Sequence, residues 1–98
     1  DSRNVCIFAE GEVDRSPTGT GVSGRAAIHY ARKALAQNQT MHIESILGSV
    51  FTMKVLQETT FGGYKAVIPE VSGEAYLTGK HQFWIDPKDT LQKGFIFR

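Results

Sequence analysis

Asp14-Arg15-Ser16-Pro17-Thr18-Gly19-Thr20-Gly21-Val22-Ser23-Gly24 runs straight into an Ala-rich helical pattern that begins at Arg25. A proline and three glycines stand just before a helix, with an acid, a base and several hydroxyls among them. Backbone N–H groups at a helix start have no partner within the helix, and the dipole adds partial positive charge there. Glycines let a carboxylate or phosphate approach that backbone without meeting a Cβ. Asp14, at the mouth of the same loop, supplies a negative counterpart. The pattern therefore suits a ligand that carries both charges a few ångströms apart, such as an amino acid or another zwitterion.

Working outward, Val22, Ala26, Tyr30 and Ala34 fall four apart and are flanked by Ala27, Ala31 and Leu35. This spacing predicts a helix from about Gly19 to Gln37 with a wide apolar face, ended by Asn38. Its small residues suit close approach by a sheet. Upstream, Asn4 to Ala9 reads as one buried strand, and Glu10 to Thr18 as a polar loop. Downstream the pattern is of strands. His42 to Leu47 is short and mixed, and Val50 to Glu58 sets Phe51, Met53 and Val55 on one face. Gly62-Gly63 marks a turn before Tyr64 to Val71, and Ser72-Gly73 a hairpin before Glu74 to Thr78. Gln82 to Ile85 gives one more strand, closed by Asp86-Pro87, and Phe95 and Phe97 lie in the tail. The expected fold is α+β, a curved antiparallel sheet around one central helix.

Ninety-eight residues, 41% of them hydrophobic and 21% charged, suit one small domain or part of a larger one. The net charge is +1 with no cluster of Lys or Arg, so no nucleic-acid footprint is present. Apolar runs are too short for a membrane span, and no signal-peptide pattern opens the chain. The single cysteine, Cys6, excludes an internal disulfide and favours a reducing, cytoplasmic compartment. It is expected to be a buried structural thiol in the first strand. A chain that opens Asp-Ser-Arg, with a strand by Asn4, reads as a piece of a longer protein. His29, His42 and His81 lack metal-ligand spacing and are expected in surface or hydrogen-bonding roles.

Gly19-x-Gly21-x-x-Gly24 formally matches the dinucleotide fingerprint, with Glu44 twenty residues beyond. Context excludes it, because the first glycine of that motif directly follows a strand and the unit continues as βαβ. No Lys followed by Ser or Thr completes a phosphate loop. A simpler alternative stays open: a tight turn into the helix, with Asp14 or Ser16 as its cap.

The stretch Gly11-Glu12-Val13-Asp14-Arg15-Ser16-Pro17-Thr18-Gly19-Thr20-Gly21 resembles the second active-site motif of the proline racemase family, which usually reads Asp-Arg-Ser-Pro-Cys-Gly-Thr-Gly. The likeness extends through Asn4-Val5-Cys6-Ile7-Phe8-Ala9, Gly48-Ser49-Val50-Phe51-Thr52, Val71-Ser72-Gly73 and Tyr76-Leu77-Thr78-Gly79. It implies a cofactor-free enzyme with a diaminopimelate-epimerase-like fold, two α/β lobes and the substrate between them. This chain would be a partial lobe, residues 1–98, from the C-terminal part. Its partners would be a small-molecule substrate, a hydroxylated proline, and an N-terminal lobe of the same protein. Apolar surface makes association into a homodimer a further expectation.

Racemases of this kind place two cysteines on opposite faces of the α-carbon. Here Thr18 stands where the second cysteine belongs. A thiol titrates near 8.5 and readily becomes a base, whereas a threonine hydroxyl does not at neutral pH. The resemblance then implies loss of inversion but survival of α-proton removal from the other face, as in trans-3-hydroxy-L-proline dehydratases. By matching position, Asp14 would hold the ring ammonium, the amides of Gly19 and Thr20 the carboxylate, and Thr18 would position the substrate. Arg15 would brace the loop through Asp14 or Glu12, and Val22 and Gly24 are packing changes relative to racemases. Phe83 and Trp84 are expected to pack on the helix or on the other lobe. Two rival readings remain, a proline racemase or hydroxyproline 2-epimerase and a non-catalytic amino-acid-binding domain.

Overall fold

The computed structural model describes residues 1–97. Seven elements follow in order: β1 (Ser2–Arg3), β2 (Ile7–Phe8), β3 (Glu12–Val13), α1 (Gly19–Ala31), β4 (Met41–Glu44), β5 (Val50–Phe61) and β6 (Tyr64–Ser72). The main sheet runs β1-β4-β5-β6, and β2 and β3 pair separately. β1 lies parallel to β4, with Ser2 opposite Ile43, while β4–β5 and β5–β6 are antiparallel. The architecture is α+β, one helix on a curved, mainly antiparallel sheet, as the pattern of elements predicts.

The sheet's long hairpin is written locally. Phe61 pairs with Tyr64 across Gly62 and Gly63, whose φ values of 55° and 81° are those of a two-residue turn open to glycine. A bulge between Val55 and Gln57 bends β5. It leaves the Leu56 carbonyl free of the ladder, and Gln37 Nε2 donates to that oxygen at 2.7 Å. The Asn38 amide adds a bond to the Val55 carbonyl at 2.8 Å, so the chain leaving the helix is pinned at the bend.

The core gathers Val22 and Ala26 from α1, Leu35 just beyond it, Ile43 from β4, and Met53 and Val55 from β5. Phe51, the third member of the anticipated β5 face, is only half-buried. On the helix's polar side, Arg25 donates to the Ser2 hydroxyl at 2.6 Å and to the Arg3 carbonyl at 3.2 Å. Those bonds tie the helix to the first strand.

Four expectations need correction. The single buried strand from Asn4 to Ala9 is instead an exposed pair member, β2, with Ile7 and Phe8 facing outward. Cys6 accordingly is half-buried rather than buried. The helix stops at Ala31, six residues before Gln37, leaving Ala34 exposed and outside it. Its end is a six-residue reversal in which the Ala34 amide reaches the His29 carbonyl and the Lys33 amide the Tyr30 carbonyl. Lys33, at φ 59°, takes the left-handed position that glycine usually fills. Finally, Glu74–Thr78 and Gln82–Ile85 form no strands. Phe83 and Trp84 are 84% and 87% exposed, so of their two expected partners only the other lobe remains.

Candidate functional site

The loop before α1 is organised by Asp14. Its Oδ1 accepts the Ser16 amide at 2.7 Å, and its Oδ2 accepts the Thr18 hydroxyl at 3.0 Å. The Ser16 hydroxyl accepts the Thr18 amide at 3.1 Å. These bonds favour the charged carboxylate, the Ser16 backbone amide most of all. They hold the Asp14 pKa below its ordinary 3.8, although desolvation pulls the other way. Arg15 adds a smaller favourable charge from the neighbouring position.

Three longer-range contacts fix the loop on the sheet. The Asn4 side chain donates to the Pro17 carbonyl at 2.6 Å, and the Asn4 amide donates to the Glu44 carbonyl at 2.8 Å. Ser49 donates its hydroxyl to the Arg15 carbonyl at 2.8 Å. Ser49 is held in turn by the fully buried Ser45, whose hydroxyl lies 2.7 Å away and accepts the Leu47 and Ser49 amides. Pro17 itself is fully buried, so the loop has a rigid floor. Sequence reasoning named Asp14, Thr18, Gly19 and Thr20 and missed Asn4, Ser45 and Ser49.

Thr18 is the residue from which the helix starts, with φ 70° and ψ 105°, and its side chain makes no capping bond. Neither Asp14 nor Ser16 caps the helix. Both spend their acceptors one turn earlier, on the Ser16 and Thr18 amides, so the tight turn into the helix forms without either residue as its cap. The first intrahelical bond runs from the Val22 amide to the Thr18 carbonyl at 2.8 Å. The amides of Gly19, Thr20 and Gly21 thus meet no acceptor among the described residues. Gly19 and Thr20 are exposed, and Asp14 and Thr18 are half-buried beside them.

The result is a carboxylate and a set of bare helix-start amides at one surface. An anion is attracted to such amides, and a cation to Asp14. A Cβ on Gly19 would meet nothing within 4 Å, whereas a Cβ on Gly21 would lie 3.0 Å from Asn4 Nδ2. A hollow of about 1130 Å³ lies elsewhere, between the end of α1 and the β5–β6 hairpin around Tyr30, Leu35 and Val67. It holds none of the anticipated site residues. A second hollow of about 680 Å³ flanks the outer side of the loop, at Arg15, Ser16, Ser49, Phe51 and Tyr76.

The histidines sit apart from this surface. His42 lies 3.4 Å from Asp1, His81 stacks on Phe83, and His29 is beside Arg25. Among the described residues, no helix is long and apolar enough to cross a membrane.

The family model described as proline racemase matches residues 1–96. Across 97 residues the chain is 55% identical to a trans-3-hydroxy-L-proline dehydratase of Colwellia psychrerythraea, covering 99% of this chain and 27% of that protein. It is 52% identical over 95 residues to a 3-hydroxyproline 2-epimerase of Burkholderia multivorans, covering 97% and 28%. Among solved structures, a hydroxyproline epimerase of Agrobacterium vitis with bound trans-4-hydroxy-L-proline superposes with a TM-score of 0.79. Its sequence identity is 38%, and the match covers 97% of this chain and 27% of that one. A probable proline racemase of Agrobacterium radiobacter with bound carbonate gives 0.80 at 34% identity, covering 97% and 28%. The chain thus spans a little over a quarter of the length of the relatives it matches.

Proposed function

The chain belongs to the proline racemase family, and from that premise we propose that it is the C-terminal portion of a two-lobed, cofactor-independent trans-3-hydroxy-L-proline dehydratase. The reading rests on one observation above all. Thr18, which carries no thiol, occupies the position between Asp14 and the bare amides of Gly19 and Thr20.

In this mechanism Asp14 receives the ring ammonium and the two amides receive the carboxylate. A base on the other lobe, a thiolate, removes the α-proton. The electron pair of the broken C–H bond forms the Cα=Cβ double bond, the Cβ–O bond breaks, and the hydroxyl departs as water after taking up a proton. The product is pyrroline-2-carboxylate. Negative charge moves onto the carboxylate as the α-proton leaves, so the amides stabilise the transition state more than the substrate. Without a second thiol on the Thr18 face, no proton is delivered there and inversion fails. A thiolate base needs reducing surroundings, which is why a cytoplasmic setting accompanies the reading.

The rival is epimerisation, favoured by the name of the Burkholderia multivorans relative. The full-length protein, assayed with trans-3-hydroxy-L-proline, should yield pyrroline-2-carboxylate without the epimer. Accumulation of the epimer in its place would reverse the assignment. Thr18→Cys should raise exchange of the α-proton with solvent deuterium, and the 98-residue chain alone should turn over nothing.

A further inference from the structure

Breaking the Cβ–O bond requires a proton for the departing oxygen, and the groups around Asp14 are arranged not to give one. Thr18 donates its single hydroxyl proton to Asp14 Oδ2 at 3.0 Å. The direction of that bond is fixed. The Ser16 amide above all keeps the Asp14 carboxyl charged, so Asp14 has no proton to return. Were Thr18 to release its own, an alkoxide would stand 3.0 Å from a carboxylate, and like charges so close are strongly disfavoured. Toward a ligand, Thr18 therefore offers lone pairs only.

The other donors of this half are engaged or distant. The Ser23 hydroxyl donates to the Gly19 carbonyl at 2.8 Å, and Tyr76, across the outer hollow, donates to Glu74 at 2.8 Å. Thr20 is an alcohol like Thr18, and the Arg15 guanidinium keeps its proton at any working pH. Cys6 accepts the Asp14 amide through its carbonyl at 3.0 Å, while its thiol makes no hydrogen bond among the described residues. Histidines are the side chains best matched to proton delivery near neutral pH. His29, His42 and His81 stay with Arg25, Asp1 and Phe83.

The stereochemistry of the proposed substrate supplies the alternative. In trans-3-hydroxy-L-proline the hydroxyl and the carboxylate lie on opposite faces of the ring, so the hydroxyl shares its face with the α-hydrogen. The base that takes that hydrogen is on the side of the departing oxygen, and Thr18 is on the other side.

We propose that the thiolate of the other lobe acts alone, first as base and then as acid, in a syn elimination to which the half-site carried by this chain supplies no proton. The thiolate takes the α-proton, and the C–H electron pair becomes the Cα=Cβ bond. The Cβ–O pair leaves with the oxygen, and the newly formed thiol returns its proton to that oxygen, giving water. The thiolate is regenerated and no further acid is consumed. The inference rests on the reading of this site as that of a trans-3-hydroxy-L-proline dehydratase with its thiol on the other lobe.

The full-length protein tests it with cis-3-hydroxy-L-proline, whose hydroxyl lies on the Thr18 face. This isomer should be dehydrated at least roughly a hundredfold more slowly than the trans isomer, the lower bound for a missing general acid. Comparable rates would overturn the proposal, because the proton would then come from this half. Thr18→Val should raise the KM for the trans isomer about tenfold, through loss of an acceptor facing a charged donor. Its kcat should stay within about threefold of the native value, as for a group that gives no proton in the transition state. A fall in kcat of roughly a hundredfold or more would overturn the proposal, and so would the same fall in Cys6→Ala, which should otherwise behave as the native protein. If Thr18→Val fails to fold, the comparison of isomers on the native protein decides. Conversion of the trans isomer to its epimer by the native protein would overturn the dehydratase reading and the proposal together. Dehydration of both isomers at like rates overturns the proposal alone.

Discussion

Asp14 carries a consequence for pH. The Ser16 amide and hydroxyl and the Thr18 hydroxyl all favour its charged form, so its native pKa lies below 3.8. A carboxyl group depressed on folding contributes stability that is fully present above its unfolded pKa and fades as pH falls through the native value. Asp14 should thus stay ionised through the whole working range, and any acid limb of activity above pH ~5 belongs to another group. Carbon-13 titration of the Asp14 carboxyl in the full-length protein should give a midpoint below 3.8. Because the Ser16 backbone amide is the largest cause, Thr18→Val should raise that midpoint without bringing it to the ordinary value. A midpoint at or above 3.8 in the native protein would contradict the loop geometry. Asp14 was legible from its place at the mouth of the glycine loop and Thr18 from its match to a cysteine position, and their bonds span only two to four residues. Asn4 and Ser49 were not, since they reach the loop from 13 and 34 residues away and carry side chains that are common anywhere.

At the scale of elements, the same contrast separates the hairpin from the helix end. Gly62 and Gly63 announce their turn because positive φ at both positions needs glycine. The helix stop at Ala31 was hidden, because its left-handed position is filled by Lys33 and the apolar spacing runs on through Ala34. Lys33→Gly should stabilise the fold by about 0.5–1 kcal/mol, the strain of a left-handed L-residue less the favourable charge at the helix C-terminus. Urea denaturation of the full-length protein measures this, and a loss of stability would show that the Lys33 side chain has a partner in the intact protein. The segments Glu74–Thr78 and Gln82–Ile85 were read as strands for a different reason. Alternation specifies two faces, but a strand also needs a neighbour with free N–H and C=O groups, and composition says nothing of that. Their fold class was legible all the same, from one helix among hairpins.

The whole molecule is much more extended than its length requires. Its radius of gyration is 18.7 Å, against about 13 Å for a compact domain of 100 residues. Leu77, Trp84 and Phe97 are 94%, 87% and 92% exposed, and the core is six residues. In the proposed two-lobed protein, whose relatives are nearly four times as long, such apolar surface would be covered by the other part. The isolated chain should show a Trp84 emission that acrylamide quenches freely and should bind a hydrophobic dye, whereas in the full-length protein Trp84 should be shielded. Equal quenching in both would mean that this face remains in water. The loop's anchoring has a consequence of another kind. Asn4 and Arg15 find their partners at Glu44 and Ser49, so a ribosome delivers the motif well before the floor it rests on. Until β4 and the turn after it have left the exit tunnel, a nascent chain holds the family's signature residues as an unshaped string. The motif takes its shape late, in the order of synthesis, although it is written early.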